Sequence, residues 1–179
     1  MKMTFLVSSM AILSMTAINA MGAACPNGYT ETSVSGSVST MNIGPNNQGQ
    51  QQQVGTIEMQ LTKTNKSGKV AFDQHGTIFG IVTDETVGIY GGPVSILSHT
   101  ITFEDDSSIE TVGDEAAITS AISQCSFVVA EVISNFWGTQ TFKRATGEIR
   151  ADGSISVPPC DNQNTFELSG TVCLFKGRK

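Results

Sequence analysis

Residues 94–104 constrain this chain more than any other stretch. Leu97, His99, Ile101 and Phe103 fall on one side of an extended backbone there. Ser98, Thr100, Thr102 and Glu104 fall on the other, where Ile96 is the apolar exception. A period of two does not suit a helix; it half-buries a strand. The same period recurs at Ile57, Met59 and Leu61, and again at Phe166, Leu168, Val172 and Leu174. Residues 30–42 alternate small and β-branched side chains, and 126–136 are apolar on both faces. Short strands are read at 70–74 and 77–83 on either side of His75-Gly76.

The punctuation between strands is equally legible. Asp152-Gly153 reads as a hairpin turn between strands at 148–151 and 154–157. Tyr90-Gly91-Gly92-Pro93 reads as a turn. Residues 44–53, rich in Gln, Asn and Gly, have little to bury and read as a flexible loop. In 114–124, Ala117, Ile118, Ala121 and Ile122 stand at helical spacing behind Asp114, a candidate N-cap, so one short helix or an irregular crossover is expected there. The 179 residues suit one domain. So many half-apolar strands can be hidden in a closed barrel or in a two-sheet sandwich.

The first residues read as an export leader. Lys2 precedes an apolar run from Phe5, and Ala20 offers a cleavage position, with Ala23 and Ala24 as later ones. Residues 1–20 are therefore expected to be removed, leaving a domain over 25–179 in the periplasm or extracellular space. No later run is long enough to span a membrane as a helix. Gly22-Ala23-Ala24-Cys25 has the small residues that can precede a lipidated cysteine, but Gly22 stands where leucine is usual. Four cysteines in an exported chain also suggest two disulfides, and lipidating Cys25 would strand one thiol. Of three connectivities, Cys25–Cys173 with Cys125–Cys160 is preferred, because the first pair would tie the ends of the domain.

A net charge of -6 argues against nucleic acid or an anionic membrane as partner. Asn65-Lys66-Ser67 is an N-glycosylation sequon. The acidic residues Glu104, Asp105, Asp106, Glu110, Asp114 and Glu115 lack calcium-loop spacing and read as a solvated turn. No histidine pair has zinc spacing, and no nucleophile motif or cofactor fingerprint is present. Neither a metal nor a cofactor is expected.

Residues 138–153 carry one resemblance. Gly138-Thr139, Phe142, Ala145-Thr146-Gly147, Ile149 and then Asp152-Gly153 resemble the Gly-Thr-Gly-x-Phe-x-x-Ala-x-Gly-x-Ile pattern of allene oxide cyclase-like and dirigent-like proteins. Gln140 departs from it, standing where the pattern has glycine. Phe166-Glu167-Leu168-Ser169-Gly170 is similar to that family's last strand, so the likeness covers about residues 100–174. It implies a single closed, antiparallel, eight-stranded barrel with an apolar interior and at most one short helix, and no particular reaction. Phe142 would anchor its loop in the core. Lipocalins, the rival eight-stranded barrels, carry an early Gly-x-Trp, whereas the single Trp137 here comes late.

Two polar side chains fall on apolar faces: His99, and Glu131 beside Phe127, Val129 and Ile133. A buried glutamate ordinarily has a partner and serves structure. Inside a cavity, the same carboxyl and imidazole could move a proton. Leu97, His99, Ile101, Phe103, Val129, Glu131 and Trp137 are the expected cavity lining, with Trp137 a plug or lid at one end. Three roles fit: binding a small apolar molecule or a partner surface, as a monomer or homo-oligomer; cyclase- or isomerase-like catalysis; and a filled structural barrel. Binding is favoured, because acid, base and orienting group do not assemble from sequence.

Overall fold

The structure is a computed structural model and describes residues 24–65, 67–88 and 92–177. The leader read at 1–20, Lys66 of the sequon, and Tyr90-Gly91 of the expected turn lie outside the described residues. The strands are β1 (Tyr29–Pro45), β2 (Gln51–Asn65), β3 (Gly68–Val87), β4 (Pro93–Phe103), β5 (Ser108–Thr111), β6 (Asp114–Ala121), β7 (Ser126–Ile133), β8 (Phe136–Gly138), β9 (Thr146–Ser156) and β10 (Gln163–Phe175). A single 3₁₀ turn occupies Gln140–Phe142.

All ten strands belong to one antiparallel sheet, in the order β3-β2-β1-β10-β9-β7-β6-β4-β5-β8. Because β3 also pairs with β4, the pairing runs in a ring through β3, β2, β1, β10, β9, β7, β6 and β4. Alternation decides the inside. Ile57, Met59, Leu61, Ile101, Val129 and Leu168 are buried in one apolar cluster, while their polar neighbours face outward. At one end of the ring, Phe142 is completely buried and stacks on Phe103, with ring centroids 5.2 Å apart. At the other end the register slips in three places, between Asn42 and Gly44, Val82 and Asp84, and Ile118 and Ser120. Such bulges bend a strand and are common at the rims of curled sheets.

Disulfides join Cys25 to Cys173 and Cys125 to Cys160. The first ties the N-terminal segment to β10; the second ties the start of β7 to the β9–β10 connection. Two disulfides fit an oxidising compartment. Among the described residues, no helix is long and apolar enough to cross a membrane.

Four local expectations are corrected. Residues 114–121 form a strand and not a helix, because β4 and β7 supply ladders on both sides. Asp152-Gly153 is no turn: β9 runs through it, and Gly153 faces Phe166 of β10. A Cβ on Gly153 would lie 1.9 Å from the Thr165 carbonyl oxygen and 2.7 Å from Phe166 Cα. The glycine is there for close approach of two strands. Finally, 44–53 is a β-hairpin, with β1 and β2 extending to Pro45 and from Gln51. The Asn46 side chain holds the turn between them by accepting from the backbone N–H groups of Gln48 and Gln50. Likewise, His75-Gly76 lies within the continuous strand β3.

Candidate functional site

Position 99 on β4 and position 131 on β7 are both inward-facing, and both side chains are buried, with 4% and 5% exposure. The two strands do not pair. β6 lies between them, with Asp114 opposite Leu97 and Ala116 opposite Glu131. The first residue of β6 therefore enters the gap beside His99, and Asp114 is only 1% exposed. Gly80 on β3 leaves room for the imidazole: a Cβ there would stand 3.0 Å from His99 Cδ2.

The three side chains converge on one imidazole nitrogen. His99 Nδ1 is 2.9 Å from Asp114 Oδ2 and 3.6 Å from Glu131 Oε1. Thr111 accepts from the His99 backbone N–H at 2.9 Å, and its hydroxyl donates to Asp114 Oδ2. Asp114 Oδ1 and Glu131 Oε1 are buried without a hydrogen-bond partner. Burial works to lower the His99 pKa, but the Asp114 hydrogen bond and the charges of Glu131 and Asp114 outweigh it and raise it. Burial raises the Glu131 pKa; the His99 charge opposes this and the Asp114 charge adds to it.

One member of the cluster, Glu131, also lines a cavity. At the bulged end of the ring a pocket of about 570 Å³ opens to solvent, with Glu131 at its base. Leu97, Ile118, Phe127, Val129, Ile155 and Phe166 line its walls. Below Glu131 lies a second void of only about 30 Å³, touching His99 and Ile101, room for about one or two waters. The ring is thus filled by its own side chains below Glu131 and open above it. Amides at the rim bond mainly to one another. Asn164 Nδ2 donates to Thr40 Oγ1 at 3.1 Å, and Asn42 Nδ2 donates to Asn162 Oδ1 at 3.0 Å. Thr40 Oγ1 in turn donates to Gln53 Oε1 at 2.8 Å.

Of the lining expected from sequence, Leu97 and Val129 face the open pocket, His99 and Ile101 the inner void, and Glu131 both. Phe103 does not line either; it packs on Phe142 at the far end. Trp137 is 50% exposed and donates to Glu110 Oε2 at 3.1 Å, so it is neither plug nor lid. Alternation on β8 sends Phe136 inward and its neighbour outward. The plug is Phe142.

Asp114 was hidden by its reading as a helix cap in a solvated acidic run. Its neighbours in that run are exposed, and at Asp105 the Ser107 hydroxyl and amide hold the carboxyl below its ordinary range. The missed signal is the alternation Asp114, Ala116, Ile118, which shares one strand face with the apolar positions. His99, Asp114 and Glu131 each offer one ligand atom, all within 4.8 Å of one another. One divalent ion can bridge such a set, and positions so distant in sequence show no metal spacing. Comparison with protein-family models, curated proteins and solved structures finds no match to this chain.

Proposed function

We propose that the chain is an exported, closed eight-stranded barrel of the allene oxide cyclase and dirigent-like kind, and that it binds a small, mainly apolar molecule in the open pocket above Glu131. The observation that carries the reading is the pocket itself. Its volume of about 570 Å³ falls within the range of small-ligand sites, and apolar walls with a few placed polar groups are what such sites share. The ring of strand pairings supports the barrel, and the two disulfides support the compartment.

A neutral fluorescent apolar probe, N-phenyl-1-naphthylamine, tests this. It is expected to bind the folded protein saturably at one site. Val129→Trp, which fills the wall of the pocket, should abolish binding with the far-UV circular dichroism unchanged. Non-saturable binding, or saturable binding indifferent to Val129→Trp, refutes the reading.

The His99–Asp114–Glu131 cluster favours a second reading, a cyclase- or isomerase-like enzyme. Glu131 would exchange a proton with the bound molecule, His99 would be its relay, and Asp114 would orient the imidazole. Glu131→Gln should then abolish turnover of a bound ligand while leaving its affinity within about threefold, a difference of under 1 kcal/mol. Undiminished turnover would remove this reading.

A further inference from the structure

We infer that the ligand of this pocket is a lipophilic amine, with a protonated nitrogen set against Glu131 and a hydrocarbon body against the walls. The inference rests on the binding reading above and adds the chemistry of the head group. Among the pocket-lining residues the charged side chains are Glu131 at the floor and Glu85 at the rim; no Lys or Arg is among them. Asp114 stands directly behind, bonded to His99. Three carboxyl groups therefore face the site or back it, against one imidazole. Acidic groups thus outnumber the one basic group at the site.

The rest of the lining offers an anion only neutral donors, the Ser95 hydroxyl and the side-chain amides of Gln51, Gln52 and Gln53. The side-chain amide N–H groups of Asn42, Asn162 and Asn164 are committed to oxygens of the rim itself. Glu131 is different. Its Oε1 accepts no hydrogen bond, and the imidazole stands 3.6 Å from it. A carboxyl held in apolar surroundings attracts a cation strongly, and a charge-assisted N–H···O bond is stronger than a neutral one. Desolvating an ammonium is costly unless a carboxylate meets it. A fatty acid or phosphate ester would face like charge with no cationic side chain of the lining to offset it.

Three probes that share a ten-carbon chain separate the head groups: decylamine, decanol and decanoate. Each displaces the neutral fluorescent probe from the intact, disulfide-bonded protein at neutral pH and low salt. Decylamine is expected to bind about tenfold more tightly than decanol, with decanoate weakest. Glu131→Gln should bring decylamine to within about threefold of decanol. Glu85→Lys, a substitution at an exposed rim position, should narrow the gap between amine and carboxylate, and salt should shrink that effect. Decanoate binding as tightly as decylamine, decylamine no tighter than decanol, or an unchanged amine preference in Glu131→Gln each overturn the inference and leave the pocket reading standing. Failure of all three probes together with the neutral one overturns both.

Discussion

Asp114→Ala is the most demanding test of the buried cluster. Asp114 accepts from His99 Nδ1 at 2.9 Å and from the Thr111 hydroxyl. Each bond to a charged, buried acceptor is worth about 1.5–3 kcal/mol. Removing the carboxylate also leaves a buried imidazole and a hydroxyl without their acceptor, and breaking a buried pair from one side costs about 3–5 kcal/mol. We expect a loss of about 3–5 kcal/mol, which for a domain of this size lowers Tm by about 10 °C. Asp114→Asn keeps one acceptor oxygen and should lose only about 1–2 kcal/mol. His99→Leu alone strands the two carboxyl groups and should cost about as much as Asp114→Ala. The double variant His99→Leu/Asp114→Leu strands neither member of that pair and leaves only the Thr111 hydroxyl and Glu131 without their partners, so its loss should fall short of the summed single losses by about 2 kcal/mol or more. The assay is equilibrium urea unfolding under oxidising conditions, followed by circular dichroism. A loss below about 1 kcal/mol for Asp114→Ala, or single losses that add within about 0.5 kcal/mol, would refute the account of the cluster as one coupled unit.

Three further outcomes are expected. Gly153→Ala should prevent folding or lower Tm severely, because its Cβ would meet strand backbone at 1.9 Å, whereas Gly92→Ala, whose nearest contact is 3.8 Å, should be tolerated; equal Tm for both would contradict the close-approach argument. Phe142→Ala should cost about 3–5 kcal/mol by opening a void against Phe103, measured by thermal unfolding, and a loss under 1 kcal/mol would mean that end of the ring is not plugged as described. His99 and Glu131 both have pKa values raised above their ordinary 6.5 and 4.5. The fold therefore holds their protons more tightly than the unfolded chain, and their contribution is lost as pH rises from those values through the raised ones. Tm should fall as pH rises above 6.5, and His99→Leu should flatten that slope; a wild-type Tm that is level or rising with pH there contradicts the sign.

Local pattern and long-range placement contributed differently to what can be said of this protein. Alternation at Leu97, His99, Ile101 and Phe103, and at Ile57, Met59 and Leu61, is enough to establish a strand-built core, because a residue's side in a strand depends only on its parity. His99 and Glu131 were visible for the same reason: each is a polar side chain at an inward parity. Parity is silent on which strands are neighbours. Residues 114–121 carry helical spacing at Ala117, Ile118 and Ala121, and strand spacing at Asp114, Ala116 and Ile118; the ladders to β4 and β7 chose between them. Asp152-Gly153 has turn chemistry, yet β10 passes too close for any side chain, and this overrides it. Gln53 and Asn164 look like loop residues until ring closure gives their amides one another. Asp114 meets His99 and Glu131 only because β6 is wedged between β4 and β7. Burial side was therefore written in the order of residues, while the cavity and its acidic floor came from contacts between strands far apart in the chain, whose cost in loop entropy is met only when the whole ring forms.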